Sequence, residues 1–210
     1  MIIVDVETTG VDSRLCSLLS VGAVDFNNPK NQFYMECRAF LGAHIEKEAL
    51  VVAGFTREQA TDTAKKTDRE VVLAFLEWMK TCTEWTLAGQ NPSFDRDFLQ
   101  ETARRYHLNW PLAHRTIDLH SVAYTKSLKE GREIPRKNNH SALNLDRILE
   151  SVGLPARKTA HNALLDAKLE ADAFARLIFG RPLTNGSVRP LQSIDNKKKR
   201  WESIDSVVRI

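Results

Sequence analysis

The first ten residues, Met1-Ile-Ile-Val-Asp-Val-Glu-Thr-Thr-Gly10, constrain the fold more than any other stretch. A short apolar run, rich in β-branched residues and closed by Thr-Thr-Gly, reads as a buried strand followed by a turn. Side chains alternate across a strand, so Asp5 and Glu7 share one face while Val4 and Val6 point to the other. Two carboxylates then stand side by side at the end of what should be a central strand. Burying an ionised acid without a partner costs several kcal/mol, so the pair demands a cation, hydrogen-bond donors or a displaced pKa. A hard divalent ion is the simplest answer. An edge strand with two solvated acids is the competing reading of this stretch alone.

Beyond Gly10 a strand meander gives way to alternating helices and strands. Leu18 to Val24 and Gln32 to Phe40 are strand candidates, and the turn formers Asn27-Asn-Pro-Lys-Asn31 separate them, so an antiparallel meander is expected. Residues 41 to 66 have no clear period beyond a short helix around Lys47 to Val52 and a loop at Ala53-Gly-Phe-Thr56. Thr67-Asp-Arg-Glu70 is a capping box, with Val72, Phe75, Leu76 and Met79 at helical spacing behind it. Trp85 to Gly89 reads as a strand. Asn91 then suits an N-cap and Pro92 the first helical position, before a stripe of Phe94, Phe98, Leu99, Thr102 and Tyr106. Thr116 to Leu119 is a last short strand, and Ser121 to Asn139 is polar and basic. A helix spans roughly Asn144 to Val152, and a longer one runs from about Asn162 to Phe179 with Leu164, Ala167, Ala171, Phe174 and Ile178 on one stripe. This order predicts an α/β fold, a mixed five-stranded sheet with helices on its faces, and no internal repeat or second domain.

At 210 residues the chain is long enough for one well-buried domain. No stretch approaches the ~20 apolar residues of a membrane span, and the start lacks the pattern of a secretory signal, so the expected location is cytoplasmic. Cys16, Cys37 and Cys82 are scattered and lack CxxC spacing, which argues against a zinc site or disulfide framework. The net charge of +3 is unevenly spread. Residues 181 to 210 carry seven Lys and Arg against three acids, a net +4, and leave the first 180 residues at −1. The expected division is therefore a domain over 1–180 and a basic, flexible tail over 181–210. Its Lys197-Lys-Lys-Arg200 run would touch nucleic acid or keep a solvated end soluble. Trp201, Ile204, Val207 and Val208 fall near helical spacing, which suits a helix that forms on docking to a protein partner; the competing readings are that the run packs on its own domain or stays disordered.

Two more acids match the first pair in setting. Asp95 lies in the first turn of the helix after Gly89, and Asp166 in the first turn of the last long helix, five residues after His161. Each alone would need no purpose beyond stabilising a helix dipole by roughly 0.3 to 1 kcal/mol. Asp97 is a built-in control, because at about 100° per residue it stands about 200° round the helix from Asp95.

Around these acids, three separated blocks resemble the DEDDh 3'-5' exonucleases of the ribonuclease H-like superfamily, which include proofreading exonuclease subunits and ribonuclease T-like enzymes. The blocks are Val4-Asp5-Val6-Glu7-Thr8-Thr9-Gly10, Asn91-Pro-Ser-Phe-Asp95 and His161-Asn-Ala-Leu-Leu-Asp166, and the resemblance covers about residues 1 to 180. It implies a ribonuclease H-like fold in which Asp5, Glu7, Asp95 and Asp166 hold two divalent ions, Mg2+ or Mn2+. It implies His161 as general base, and a nucleoside 5'-monophosphate released from the 3' end of single-stranded DNA or RNA. Thr8 and Thr9 resemble positions that meet the terminal nucleotide, and Phe94 is a candidate to line the site. Pairing as a homodimer is also implied. Ser20 and Ala53 depart from the family pattern, where Glu and His or Asn are frequent; they bear on sugar contacts and so on the choice between DNA and RNA. Of the other histidines, His140 in the basic stretch is the one of interest. Two rival functions remain: an accessory subunit that docks on a polymerase or other partner through the tail, and an endonuclease using the same metal chemistry.

Overall fold

The first strand is buried along both faces and lies at the centre of the sheet. The computed structural model describes residues 1–157 and 160–184, and within them β1 (Ile2–Thr8) is flanked by an antiparallel and a parallel neighbour. The meander β1, β2 (Leu18–Asp25) and β3 (Gln32–Glu36) is antiparallel, and β4 (Leu87–Gly89) and β5 (Thr116–Asp118) add in parallel on the other side. The order β3-β2-β1-β4-β5 is the expected mixed five-stranded sheet. The strand carrying the two acids is thus the point where strand direction switches, which is where open α/β sheets leave a crevice beyond their strand ends.

Helices cover both faces. On one, Ile2, Val4 and Val6 pack against α3 (Asp68–Met79) and α4 (Pro92–Arg105) through Val72, Phe75, Phe98 and Leu99. On the other, Ile3 and Ala88 meet α5 (Leu119–Lys129), α6 (Leu145–Ser151) and α7 (Ala163–Phe179) through Leu119, Ile148 and Phe174. The alternation read from sequence holds, with Asp5 and Glu7 on the second face beside α7. Two short helices, α1 (Lys47–Ala53) and α2 (Arg57–Thr61), close the end of β2 over Leu19. Gly22 is what lets α7 sit so close to the sheet. A Cβ there would come within 2.2 Å of the backbone at Ala163 and Leu164, so any larger residue would push away the turn that carries Asp166.

Several boundaries depart from expectation for local reasons. The third strand ends at Glu36 rather than Phe40, because the Arg38 N–H goes to the Lys66 carbonyl instead of the sheet. The stretch 41–66 contains a second helix, α2, closed by a Thr56/Gln59 capping box. The polar stretch 121–139 opens within α5, whose Asp118 cap accepts from the His120 and Ser121 N–H groups, and runs on into a two-stranded hairpin of β6 (Arg136–Lys137) and β7 (His140–Ser141). Tyr106 ends α4 and donates its hydroxyl to Asp68, and Ile178 is exposed rather than part of the apolar stripe. Packing continues past residue 180: Leu183 lies against the α7 face of the core and its N–H donates to Asp172 at 2.6 Å. The remaining tail, including Trp201 to Val208, lies outside the described residues. No helix among them is long and apolar enough to cross a membrane.

Candidate active site

Three elements bring the site acids together. β1 supplies Asp5 and Glu7, and a register shift between Glu7 and Thr8 breaks the β1–β2 ladder just there. Such bulges re-aim side chains beside active sites. α4 supplies Asp95 from its first turn, almost fully buried, with Oδ1 accepting the Val6 N–H at 2.9 Å. α7 supplies Asp166 from its first turn, behind a cap in which Asn162 accepts the Leu165 N–H. His161 precedes that cap, held by its own N–H on the Val52 carbonyl, and its Nδ1 lies 3.9 Å from Asp166 Oδ2.

Asp5, Glu7, Thr8, Phe94, Asp95 and His161 line one cavity of about 260 Å³. Ligating atoms of Glu7, His161 and Asp166 all lie within 4.8 Å of one another. Thr8 donates its hydroxyl to the Gly10 carbonyl at the cavity edge, and Phe94 packs on Phe98 with ring centroids 4.9 Å apart and planes tilted by 49°. Thr9 is not among the residues lining that cavity. Its side chain is fully buried away from the cavity, with its hydroxyl donating to the His44 carbonyl and accepting the Ser17 N–H. Asp97 is exposed and paired with Arg96, on the far side of α4 as the helical spacing requires. Asn91 stands at the expected N-cap of α4 with Pro92 behind it, but it adopts a left-handed conformation at φ 58° without a side-chain cap bond, and its N–H is held by Asp118.

Electrostatics explain what such a cluster needs. Burial, and then the charge of Asp166, push the Glu7 carboxyl up to about 7 against the pull of Arg157. Burial raises Asp95 to about 8 despite the Val6 N–H. Asp5 is held well above the usual carboxylate range by burial and by Asp95, Glu170, Glu7 and Asp166. His161 is lowered by burial and by Arg157, with Asp166 and Asp146 opposing. Glu7 Oε1 is buried without a hydrogen-bond partner. Mutually repelling carboxylates, an orphaned oxygen and one imidazole make a donor set that fits a hard divalent cation.

Three nearby residues escaped the sequence reading. Arg157 spans the cluster: Nη1 is 3.0 Å from Asp166, while Nε lies 2.9 Å and Nη2 3.3 Å from Asp146 at the start of α6. Glu170, one helical turn after Asp166, is 1% exposed, and burial and the charge of Asp95 raise its carboxyl well above the ordinary range. It stands on the stripe of Ala167, Ala171 and Phe174, and an acid there was the available clue. Gln90 lines the acid cavity and also a groove of about 710 Å³ whose wall includes Lys137, His140 and Arg147.

Comparison with known proteins agrees with this arrangement. The family model described as Exonuclease (RNase_T) matches residues 2–174. DNA polymerase III subunit epsilon of Haemophilus influenzae is 28% identical over 99% of this chain and 79% of that protein. Ribonuclease T of Hahella chejuensis is 28% identical over 84% of this chain and 82% of that protein. The chain also matches DNA polymerase III PolC-type of Thermotoga petrophila at 26% identity over 94% of this chain, spanning 13% of that protein's length. Among solved structures, the nuclease domain of 3'hExo, a DEDDh family member bound to rAMP, superposes with a TM-score of 0.64 at 20% identity, covering 87% of this chain and 94% of that one. That last likeness is one of fold.

Proposed function

This chain belongs to the RNase_T exonuclease family and is a 3'-5' exonuclease, and we propose that it hydrolyses single-stranded nucleic acid ends to nucleoside 5'-monophosphates by two-metal-ion catalysis. The observation that carries this reading is the convergence of Glu7, His161 and Asp166 within 4.8 Å, in a site whose cavity Asp5 and Asp95 also line. The family is divalent-metal dependent. Asp5, Glu7, Asp95 and Asp166 would hold two ions, Mg2+ or Mn2+, which when bound polarise the scissile phosphate and lower the pKa of the attacking water.

Each residue has a role that its setting supports. His161, half-exposed beside the buried acids, accepts the proton of the attacking water, and its lowered pKa keeps the imidazole neutral and able to do so at neutral pH. Asp95 is anchored by backbone, so its oxygens keep their place as charge builds. Thr8 and Phe94 flank the terminal nucleotide, with the Phe94 ring offering a stacking face. The groove of Lys137, His140 and Arg147 carries positive charge to the edge of the cavity, a path for the phosphates of the strand behind the scissile bond.

The test is a time course on matched DNA and RNA oligonucleotides labelled at the 5' end, with Mg2+, with EDTA and with Asp5→Ala. A metal-dependent ladder shortening from the 3' end, lost in the variant, supports the proposal, and the faster substrate identifies the sugar. Cleavage that persists on a 3'-blocked strand would indicate an endonuclease. Absence of any ladder overturns the reading.

A second role is favoured by the similarity to a DNA polymerase III subunit. In it the chain associates with a polymerase through residues 181–210. Co-purification with such a partner that survives deletion of residues 191–210 would count against it.

A further inference from the structure

We propose that Glu170 is a fifth acid of the metal centre: a positioning residue whose free oxygen would take the hydrogen bonds of water around a cation bound there. The inference rests on the two-metal reading and adds a residue that none of the three sequence blocks contains.

Four observations carry it. Glu170 is 1% exposed, and its Oε2 is buried with no hydrogen-bond partner. A carboxylate oxygen sealed from solvent without a donor is costly, and native structures seldom keep one without a use. Its direction is fixed as well. Glu170 follows Asp166 by one turn on α7, so the two side chains share a helix face. The charges of Asp95 and Asp166 both act on the carboxylate. Room for Oε2 comes from Gly89, where a Cβ would stand 3.0 Å from that oxygen and 2.8 Å from the Val4 carbonyl. Finally, the Gln90 side-chain Oε1 is also buried and unpartnered, and Gln90 lines the acid cavity. Two orphaned acceptors beside four repelling acids call for hydrogen-bond donors that the protein does not supply, and water ordered on a cation has them to give.

Other accounts of Glu170 fail on the same facts. A structural acid would be paired, as Asp68 is with Arg105 and the Tyr106 hydroxyl. A solvated acid would not be buried on the stripe of Ala167, Ala171 and Phe174.

Calorimetric titration of Mn2+ into wild-type protein, Glu170→Gln and Asp5→Ala tests this, with melting temperatures taken in EDTA. Outer partners of metal ligands typically affect affinity by about 10- to 100-fold, so Glu170→Gln should weaken Mn2+ binding by about that factor while melting in EDTA close to wild type. A purely structural Glu170 would give the opposite pattern, a lowered melting temperature and an unchanged isotherm, and would overturn the proposal. If the Gln variant does not fold, Glu170→Asp keeps the charge but withdraws the oxygens. Unchanged affinity there overturns the proposal equally. Wild-type affinity in Asp5→Ala would instead sink the metal site itself, which separates the two failures.

Discussion

Helices α4 and α7 each begin on an asparagine and each present an acid four residues later, yet they hold that acid by different means. At α7 the start is regular: Asn162 is extended, caps the Leu165 N–H, and lets the helix begin without strain. At α4 the start is forced: Asn91 is left-handed, offers no cap bond, and is tied down by Asp118. The acids reverse that order. Asp95, behind the strained turn, is fixed by a backbone N–H of the central strand. Asp166, behind the relaxed one, is met by a side chain, the guanidinium of Arg157. The α4 side is therefore a rigid wall, and the α7 side is an acid whose cationic partner is replaceable. Backbone strain at Asn91 is the kind that persists where the surroundings over-determine a functional geometry.

Substitution of the two acids breaks or upholds this contrast most directly. Asp95→Asn, Asp95→Ala, Asp166→Asn and Asp166→Ala should all lose about 10^3-fold or more in turnover, since each removes a proposed ligand from a centre worth several kcal/mol of charge stabilisation. Their stabilities should differ. Asn at 95 keeps an acceptor for the buried Val6 N–H and Ala does not, so the Ala variant should be the less stable by about 1 to 3 kcal/mol in denaturant titrations. At 166 the Asn and Ala variants should lie close together, because Arg157 keeps its bonds to Asp146. A gap at 166 as large as that at 95 would erase the distinction.

The same contrast explains which features were readable from the sequence. Regular elements announce themselves by local chemistry: the Thr67/Glu70 capping box, the Asn162 start, the Gly180 stop and the alternation of β1 are all in place. What the sequence conceals depends on distant partners. Asn91 holds the N-cap position its residue type suits, but its left-handed conformation and its N–H bond to the Asp118 carboxylate, 27 positions on, are not written locally. Thr9 looks like a site residue by its neighbours, but loop atoms at Ser17 and His44 consume its hydroxyl. Arg157 leaves no trace in the sequence, because ion pairing across elements has no period, and the one hint of Glu170 is an acid set on the apolar stripe of the last helix. α5 was hidden for a related reason: only Leu119 and Ala123 along it are buried, too few to mark an apolar stripe.

The buried acids on both sides should also set the pH dependence of the metal-free protein. Glu7 and Asp95 have folded pKa values raised to about 7 and about 8, above the values near 4 expected once unfolded. Between those limits the folded protein holds protons that the unfolded chain has released. Stability therefore falls as pH rises, from a plateau below the unfolded pKa to a floor above about pH 8. In EDTA the melting temperature should drop by several degrees between about pH 5 and about pH 8, and Mg2+ should recover more of it at the higher pH. Asp95→Asn should flatten the slope. A curve that is level or rising in EDTA would mean that the acids are not buried together as described.

The smallest effect expected is at the replaceable partner. Arg157 is a positive charge bonded to one proposed metal ligand and acting on Glu7 and Glu170 as well, so it opposes any cation that arrives. It is mostly buried, and charges a few ångströms apart near a protein surface interact by about 1 to 4 kcal/mol before competing costs. Arg157→Gln should therefore tighten Mn2+ binding by about tenfold at most, with the gain shrinking at high ionic strength. Loss of the side-chain bond from Arg157, four residues before His161, to Asp146 at the start of α6 works against this in turnover. Tighter metal binding with a lower kcat would show a partner that both competes with the cation and positions the loop. Weaker metal binding would show instead that Asp166 needs Arg157 to keep its place, and the α7 side would then be as fixed as the α4 side.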